Sequence, residues 1–223
     1  MTTSQALIIG ASRGIGLGLA NILAERGWQV TATMRKQIPS AASGIRWLTL
    51  DINMPDERKA LKEQLAGQQF DVIFINAGVY GPGHQKLSAS SDDELMALFM
   101  TNTFSPLRCA EELLPNVKPQ TGIVALMSSQ LASLNENSDA TYPLYAASKG
   151  ALNMLARGLS AQTNAQGQTL LCVHPGWVQT DMGGKDAPLT VAQSASGIAD
   201  QLAAWRGKGG HHFVGYDGEL LAW

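Results

Sequence analysis

Short apolar runs alternate with longer amphipathic segments along the whole chain. The apolar runs are rich in aliphatic residues, which is typical of strands that are buried on both faces of a sheet. They predict strands over residues 6–9, 28–34, 46–50, 71–75, 122–127, 169–173 and 212–216. Apolar residues at helical spacing predict helices between Ile15 and Gly27 and over residues 55–65, 92–100, 106–114, 144–162 and 191–205.

The order of these elements predicts the fold class. Strands and helices alternate from end to end, and neighbouring parallel strands need such a crossover. We therefore expect an α/β fold with a single Rossmann-type domain over residues 1–223, in which helices cover both faces of a doubly wound parallel sheet of about seven strands. The polar loops 135–141 and 183–188 follow strand ends, the edge where open α/β sheets bind ligands.

The composition excludes several classes of protein. Apolar residues make up 45% of the 223 residues and charged residues only 15%, which excludes a disordered chain. The formal net charge of -2, without a basic block, argues against a nucleic-acid or acidic membrane partner. The chain does not start with a basic region and a cleavable apolar run, and no apolar stretch reaches membrane-spanning length. These features predict a cytoplasmic protein.

The cysteines and histidines do not predict a metal site. Cys109 and Cys172 lie far apart in apolar segments, and buried thiols in a reducing compartment are the simplest interpretation. The histidines lack metal-like spacing, and we interpret them as exposed or structural residues. They are His84, His174, His211 and His212.

A glycine-rich loop joins the first predicted strand to the first predicted helix. Its spacing is Gly10-x-x-x-Gly14-x-Gly16, which differs from the Gly-x-Gly-x-x-Gly fingerprint of dinucleotide-binding loops. Glycines let the backbone approach a pyrophosphate, and the N-terminus of a helix attracts its negative charge. The position of the loop, directly after the first strand, favours a nucleotide site.

The same loop also fits a different class of enzyme. Residues 10–14 match Gly-x-Ser-x-Gly, the nucleophile elbow of α/β-hydrolases, and the hydrolase order could be assembled from Ser12, Asp51 and His174. Such an elbow needs an earlier strand–helix loop to complete its oxyanion hole, and nothing before residue 6 could provide one. We therefore disfavour the hydrolase interpretation.

Cations at the end of the second predicted strand bear on the choice of cofactor. A site for NAD usually has an acidic residue there, which binds the ribose hydroxyls. This chain instead has Arg35 with Lys36 beside it, and Arg13 lies in the glycine-rich loop. Such cations would also fit a solvated basic loop, but they suit a ribose 2′-phosphate. They favour NADP(H) over NAD(H).

Residues 142–153 contain a candidate acid–base centre. Tyr145 and Lys149 are four residues apart at the start of a predicted helix, so they lie on one helix face. A neighbouring cation lowers the pKa of a phenol from about 10, which would let Tyr145 exchange protons near neutral pH. Alone, the pair would also fit a helix with one buried tyrosine and one solvated lysine. Ser128 and Ser129 lie at the end of the preceding strand. Their hydroxyls could cap that strand, or they could act together with Tyr145 and Lys149.

These motifs, taken in order, resemble those of the short-chain dehydrogenase/reductase family between residues 6 and 182. The matching motifs are Gly10-x-x-x-Gly14-x-Gly16, Asp51, Asn76-Ala77-Gly78, Asn102, Ser129, Tyr145-x-x-x-Lys149 and Pro175-Gly176. A finer similarity, to the sniffer and C-factor branch of small carbonyl reductases, lies in residues 174–184 and 213–223 and in the long gap from Ser129 to Tyr145.

The resemblance implies an NADP(H)-dependent carbonyl reductase or alcohol dehydrogenase that acts on a small-molecule substrate. Tyr145 would be the general acid, Lys149 would lower its pKa and bind the nicotinamide ribose, and Ser129 would hydrogen-bond the substrate carbonyl. Asn102 would hold a water that extends the proton relay from Lys149. The implied cofactor-binding residues are Gly10, Ser12, Arg13, Gly14, Ile15, Gly16, Arg35, Asp51, Ile52, Asn76, Ala77, Gly78, Tyr145, Lys149, Pro175, Gly176, Val178 and Thr180.

Within this set, the resemblance assigns Asp51 and Ile52 to the adenine, residues 76–78 to its ribose, and residues 175–178 with Thr180 to the nicotinamide end. Two departures from the family pattern affect the interpretation. Ile75 replaces the first asparagine of the usual Asn-Asn-Ala-Gly, a change that we expect to be harmless. The segment after Thr180 is short, whereas many relatives have a longer lid over the substrate there. The resemblance therefore does not identify the substrate.

Two further expectations follow from the resemblance. The family implies a homodimer that forms through the predicted helices 106–114 and 144–162. The branch also leaves open a nucleotide-binding signalling or regulatory protein of the same fold with little turnover. The intact set of Ser129, Tyr145 and Lys149 argues against this second function, because a binding module needs no acid–base centre.

Overall fold

Seven parallel strands form one sheet in the computed structural model, which describes residues 3–36 and 44–223. The strands are β1 (Gln5–Ile9), β2 (Gln29–Met34), β3 (Arg46–Thr49), β4 (Val72–Ile75), β5 (Ile123–Met127), β6 (Thr169–His174) and β7 (His211–Gly215). Their order is β3-β2-β1-β4-β5-β6-β7, so the direction of winding reverses between β1 and β4. This order confirms the doubly wound Rossmann-type sheet, and ligands bind beside such a reversal, at the carboxyl ends of the strands.

Six α-helices connect these strands within the described residues. They are α1 (Gly14–Glu25), α2 (Pro55–Gln64), α3 (Asp92–Phe99), α4 (Ser105–Leu113), α5 (Pro143–Ala165) and α6 (Val191–Ala204). Local sequence explains two of their starts, since Ser91 with Glu94 and Thr190 with Gln193 form capping boxes before α3 and α6. None of the helices in this part of the chain combines the length and apolar character that crossing a bilayer requires.

The helices cover both faces of the sheet, as the alternation of elements predicted. Successive side chains of a strand point to opposite faces, so Leu7 and Ile9 join one core cluster while Ala6 and Ile8 join the other. Helices α2, α4 and α5 pack into the first cluster, and α1 and α6 pack into the second. Each face therefore has its own apolar core, and the two cores fix the strand ends that carry the site.

The helices predicted over residues 92–100 and 106–114 are found within one residue of these bounds, but the residues between them are also helical. Helix α3 continues through a π-helical turn, Met100–Phe104, directly into α4. A proline lacks the N–H that a helix interior needs, so Pro106 is compatible with the start of a helix. In the structure Pro106 lies in the first turn of α4, and the wider turn before it accommodates the missing donor. Such π-helical turns often mark functional sites, and Asn102 lies within this one.

Candidate active site

An open cleft of about 460 Å³ lies at the carboxyl ends of the strands. Strands β1, β4 and β5 end level with one another, because Ile9 pairs with Ile75 and Ile75 pairs with Leu126. The loops that follow these strands therefore meet at one edge of the sheet. Most of the residues predicted to bind a cofactor line the cleft: Gly10, Ser12, Arg13, Gly14, Ile15, Arg35, Asp51, Ile52, Asn76, Ala77, Gly78, Tyr145, Lys149, Pro175 and Thr180.

The glycine-rich loop brings the start of α1 close to the end of β1. Gly14 has a φ of 56°, a conformation that residues with a Cβ rarely adopt. A Cβ on Gly16 would lie 2.3 Å from the carbonyl oxygen of Gly10, so this close approach requires glycine. Helix α1 has no side-chain cap and no acidic residue in its first turn. Gly14 and Ile15 at this N-terminus line the cleft, and the free N–H groups of a helix N-terminus suit an anion.

Asn76-Ala77-Gly78 connects this loop to the opposite side of the cleft. The side-chain amide of Asn76 donates a hydrogen bond of 2.8 Å to the carbonyl oxygen of Gly10. A Cβ on Gly78 would lie 3.4 Å from both Asn102 Oδ1 and Lys149 Nζ. The segment therefore contacts the glycine-rich loop at one end and two of the predicted catalytic residues at the other.

Tyr145 and Lys149 lie one helical turn apart on α5, and both line the cleft. The Nζ atom of Lys149 is 5.9 Å from the centre of the Tyr145 ring. It donates a hydrogen bond of 2.8 Å to the carbonyl oxygen of Met127, and only 2% of Lys149 is exposed. This burial lowers the pKa of Lys149 to about 8, because a charged ammonium loses its hydration there.

The expected lowering of the Tyr145 pKa is not found in this structure. Burial raises the pKa of Tyr145 to about 12, and a hydrogen bond with Ser129 acts in the opposite direction. The ammonium of Lys149 donates to the carbonyl of Met127, so the effect of its charge on the Tyr145 pKa is smaller than the effect of burial. Spacing places the two residues on one face, but it does not fix where the end of a long side chain lies.

Ser129 and Ser128 have different surroundings at the end of β5. The hydroxyl of Ser129 accepts a hydrogen bond of 3.2 Å from the N–H of Leu131, and it also bonds to Tyr145. The hydroxyl of Ser128 donates a 2.6 Å hydrogen bond to the side chain of Asn153, which anchors the end of β5 to α5. Ser129 is therefore the member of the pair that acts on Tyr145.

Asn102 is fully buried in the π-helical turn. Its Oδ1 accepts from the N–H of Val79 and its Nδ2 donates to the carbonyl of Val79, both at 2.8 Å. The same Nδ2 donates to the hydroxyl of Ser148 at 3.0 Å. Since Pro106 has no N–H, the backbone carbonyl of Asn102 lacks the donor that an α-helix would provide four residues later. The side chain is thus committed to structural hydrogen bonds.

Five predicted site residues are not among those that line the cleft: Gly16, Asn102, Ser129, Gly176 and Val178. Gly176 has a φ of 80°, and a Cβ there would lie 2.3 Å from the side chain of Leu189. Val178 is 4% exposed and pairs with Leu189 through its backbone. These two residues hold the loop after β6 in shape, so their effect on a ligand would be indirect.

The predicted phosphate-binding cations are both exposed at the cleft. Arg35 follows β2 directly and lines the cleft with an exposed side chain. Arg13 forms an ion pair with Asp181, and both partners line the cleft and are exposed. An exposed pair of this kind contributes little to stability and can exchange readily. A phosphate would therefore compete with Asp181 for Arg13.

The structure does not bring the three hydrolase candidates together. Ser12 and Asp51 line the cleft, whereas His174 does not. The Nδ1 of His174 accepts a hydrogen bond of 3.1 Å from the N–H of Gln130, and burial lowers the pKa of His174 to about 4. His174 thus supports the turn that follows Ser129, which agrees with the structural interpretation of the histidines.

Sequence reasoning missed several residues that line the cleft: Ile9, Met34, Leu50, Asn53, Val79, Thr101, Met127, Gln179, Asp181, Met182 and Val191. Asn53 is the most informative of them. Its Nδ2 donates to the hydroxyl of Thr101 at 2.9 Å, and its Oδ1 is buried without a partner among the described residues. The one available signal was its position two residues after Asp51.

Comparison with known proteins agrees with this geometry. The short chain dehydrogenase family profile matches residues 4–188. C-signal of Myxococcus xanthus is 34% identical over 159 residues, which cover 69% of this chain and 92% of that protein. The structure of a carbonyl reductase from Pseudomonas aeruginosa PAO1 in complex with NADP matches over 100% of both chains, with a TM-score of 0.91 and 40% identity.

The carbonyl reductase Sniffer of D. melanogaster also matches over 100% of both chains, with a TM-score of 0.88 and 31% identity. Together with C-signal, it supports the finer similarity that residues 174–184 and 213–223 indicated. The family profile covers well over half of the sequence. The chain therefore belongs to the short-chain dehydrogenase family, with a resemblance to its sniffer and C-factor branch.

Proposed function

We propose that the protein is an NADP(H)-dependent carbonyl reductase, in which one domain holds both the cofactor and the catalytic residues. The observation that carries the proposal is that Tyr145 and Lys149 line the same cleft as the glycine-rich loop, while Ser129 forms a hydrogen bond with Tyr145. Membership of the short-chain dehydrogenase family supports an oxidoreductase. A similar carbonyl reductase solved with NADP supports the choice of cofactor.

The residues of the cleft fit such a dinucleotide. The uncapped N-terminus of α1 at Gly14 suits a pyrophosphate, since its N–H groups lack acceptors from side chains. The unpartnered Oδ1 of Asn53, close in sequence to Asp51 and Ile52, suits an amino donor such as that of adenine. Arg35 suits the 2′-phosphate, because its guanidinium can pair with two phosphate oxygens. The bound nicotinamide would supply the hydride.

The side chains at the other end of the cleft would manage the proton. A phenol whose pKa is raised stays protonated at neutral pH, so Tyr145 would serve as a general acid toward the carbonyl oxygen. Ser129 would donate to the same oxygen as negative charge develops on it. Lys149 would bind the nicotinamide ribose, and the carbonyl of Asn102 would hold a water that returns a proton toward Lys149.

No observation favours the alternative of a nucleotide-binding signalling protein with little turnover. Lys149 is kept charged in a buried position that lowers its pKa to about 8, an arrangement with a cost to stability. Costs of this kind are typical of active sites, where a perturbed group has a chemical task. A module that only bound a nucleotide would not need it.

The mouth of the site is expected to be broad. The loop over residues 183–188 is short, and Trp177 and Met182 beside it are 58% and 47% exposed. We expect kcat/KM to vary by less than about a thousandfold among reactive diketones and quinones, because few buried polar groups could reject a wrong substrate. Loss of NADPH absorbance across such a panel measures this. A larger preference for one ketone would contradict the open pocket, and no turnover at all would contradict the proposed function.

Arg35→Ala is expected to lower the affinity for NADPH by about tenfold or more and to leave NADH binding nearly unchanged. A charge-assisted hydrogen bond to the 2′-phosphate contributes roughly 1.5–3 kcal/mol, and NADH has no such phosphate. Dissociation constants of both cofactors should be measured for both proteins.

Arg46→Ala is a matched control, since Arg46 bonds to Gln68 and does not line the cleft. That variant should bind both cofactors as the wild type does. If Arg35→Ala weakens the binding of NADPH and of NADH equally, Arg35 shapes its loop and does not recognise the phosphate.

A further inference from the structure

The loop that follows β4, residues 76–86, links two predicted catalytic residues that lie on different helices. Near its start, Val79 forms two backbone hydrogen bonds with the side chain of Asn102. In its middle, a Cβ on Gly81 would lie 3.0 Å from a leucine of α3, so the loop packs closely against that helix. Near its end, the side chain of Gln85 accepts a hydrogen bond from the N–H of Tyr145.

Gln85 is held firmly within this loop. It is 7% exposed and has a φ of 53°, a conformation uncommon for a residue with a side chain. Its Nε2 donates to the carbonyls of Tyr80 at 3.2 Å and Pro82 at 2.8 Å, and its Oε1 accepts from the N–H of Tyr145 at 2.9 Å. Backbone strain of this kind clusters at functional sites.

The bond from Gln85 compensates for an incomplete helix start. Tyr142, which precedes α5, supplies no side-chain cap, and Pro143 has no N–H. The N–H of Ala146 donates to the carbonyl of Tyr142 at 2.8 Å, so the N–H of Tyr145 precedes the first helical bond and needs an outside acceptor. Gln85 provides that acceptor from 60 residues away and thereby anchors the backbone of Tyr145.

The same loop also contacts the side chain of Tyr145. The rings of Tyr80 and Tyr145 have centroids 5.9 Å apart and planes inclined by 30°. Tyr142 packs edge-on against Tyr80, with centroids 5.5 Å apart and planes inclined by 73°. Aromatic pairs in these geometries stabilise one another beyond the area that they bury. The Tyr80 ring therefore restrains the Tyr145 ring and shields part of it from water.

We propose that Gln85 and Tyr80 are positioning residues for Tyr145. Gln85 fixes the backbone of Tyr145, and Tyr80 fixes the orientation of its ring. The inference rests on the proposed function of Tyr145 as the general acid. Small displacements of a reacting group can cost up to about a hundredfold in rate. Neither Gln85 nor Tyr80 lines the cleft, so their replacement should lower kcat without lowering the affinity for the cofactor.

Replacement of Tyr80 separates its ring from its hydroxyl. Tyr80→Leu should lower kcat by about tenfold, whereas Tyr80→Phe keeps the ring and should stay within about twofold of the wild type. Both variants should bind NADPH as the wild type does. In Tyr80→Leu the phenol of Tyr145 becomes more hydrated and its pKa falls, so the alkaline limb of the kcat profile for reduction should move to lower pH. Tyr80→Phe should not show that shift.

Replacement of Gln85 tests the anchored backbone. Gln85→Met keeps the length of the side chain and removes the acceptor, so kcat should fall by about tenfold at unchanged NADPH affinity. His84→Ala is the control, because His84 lies in the same loop and its side chain accepts a hydrogen bond from the N–H of Lys86. That variant should keep the wild-type kcat. If Gln85→Met does not fold, the comparison of Tyr80→Leu with Tyr80→Phe tests the proposal instead. Tyr80 is partly exposed, so the loss of its ring should disturb the fold less.

Other outcomes would overturn the inference. An effect of Tyr80→Leu confined to the substrate KM would mean that the ring contacts the substrate and does not position Tyr145. Wild-type kcat in Tyr80→Leu and Gln85→Met, together with an inactive Tyr145→Phe, would remove the positioning role and leave the proposed function intact. A nearly wild-type Tyr145→Phe would instead overturn the proposed function itself.

Discussion

Tyr145→Phe is expected to lower carbonyl reduction by at least about 100-fold, the usual contribution of a general acid. The substitution removes only the hydroxyl that would donate the proton. The phenylalanine ring keeps the contact with Tyr80, so the fold and the NADPH affinity should survive. Steady-state kinetics with a reactive diketone, together with an NADPH titration, measure both effects.

Tyr142→Phe is the matched control for this experiment. Tyr142 is 49% exposed, does not line the cleft and contacts Tyr80 through its ring. Loss of its hydroxyl should leave turnover unchanged. If Tyr145→Phe also keeps nearly wild-type turnover, Tyr145 is not the general acid.

Lys149→Met is expected to have a double effect on function. It removes the donor that would bind the nicotinamide ribose, so NADP(H) affinity should fall. It also removes a cation 5.9 Å from the Tyr145 ring, and loss of a nearby cation raises the pKa of a phenol. The pH at which alcohol oxidation rises should therefore move upward, because that direction needs the phenolate. Unchanged affinity together with an unchanged pH profile would make Lys149 a bystander.

The same substitution should stabilise the protein when it is measured without cofactor. Burial lowers the pKa of Lys149 from 10.5 to about 8. Below pH 8 Lys149 is charged in both the folded and the unfolded chain, and the folded state bears the full free-energy cost of burying the ammonium. This cost declines as the pH rises from 8 to 10.5, because the folded chain then loses the charge. The free energy of unfolding of Lys149→Met should thus exceed that of the wild type by roughly 1–3 kcal/mol at pH 7.

Denaturant unfolding at several pH values tests this difference. The gain should shrink as the pH approaches 10.5, because the wild type then loses its buried charge. Lys62→Met is the control, since Lys62 is an exposed lysine on α2 and should show no comparable gain. A loss of stability in Lys149→Met at pH 7 would mean that the bond to Met127 outweighs the cost of burying the ammonium.

Local patterns in the sequence determined the fold class and most of the residues that line the cleft. Strands such as 71–75 were predictable because a strand covered on both faces must be apolar throughout. Gly10 and Gly16 were predictable because a close approach of backbone leaves no space for a Cβ, and Gly14 because the loop there needs a positive φ. The motif order indicated the family. The cytoplasmic location and the homodimer stay predictions.

Sequence patterns were less informative where a side chain can reach several alternative bonding partners. The spacing of Tyr145 and Lys149 gave their shared helix face, but the ammonium lies against the carbonyl of Met127 and the phenol has a raised pKa. Arg13 was predicted as a phosphate ligand, yet Asp181 is its partner in the structure. Long, flexible side chains reach several acceptors, and only the folded chain shows which of them is near.

The surroundings of Tyr145 depend on tertiary structure in the same way. Tyr145 itself could be predicted as a site residue from the sequence, because its spacing from Lys149 is a local pattern. No local pattern indicated that Gln85, 60 residues earlier, accepts from the N–H of Tyr145, or that the Tyr80 ring packs against it. Neither residue belongs to a motif, and their contacts arise because β4 and β5 end level and bring the loops that follow them together. Sequence therefore identified the candidate general acid, whereas its contacts with Gln85 and Tyr80 were decided by the packing of distant segments.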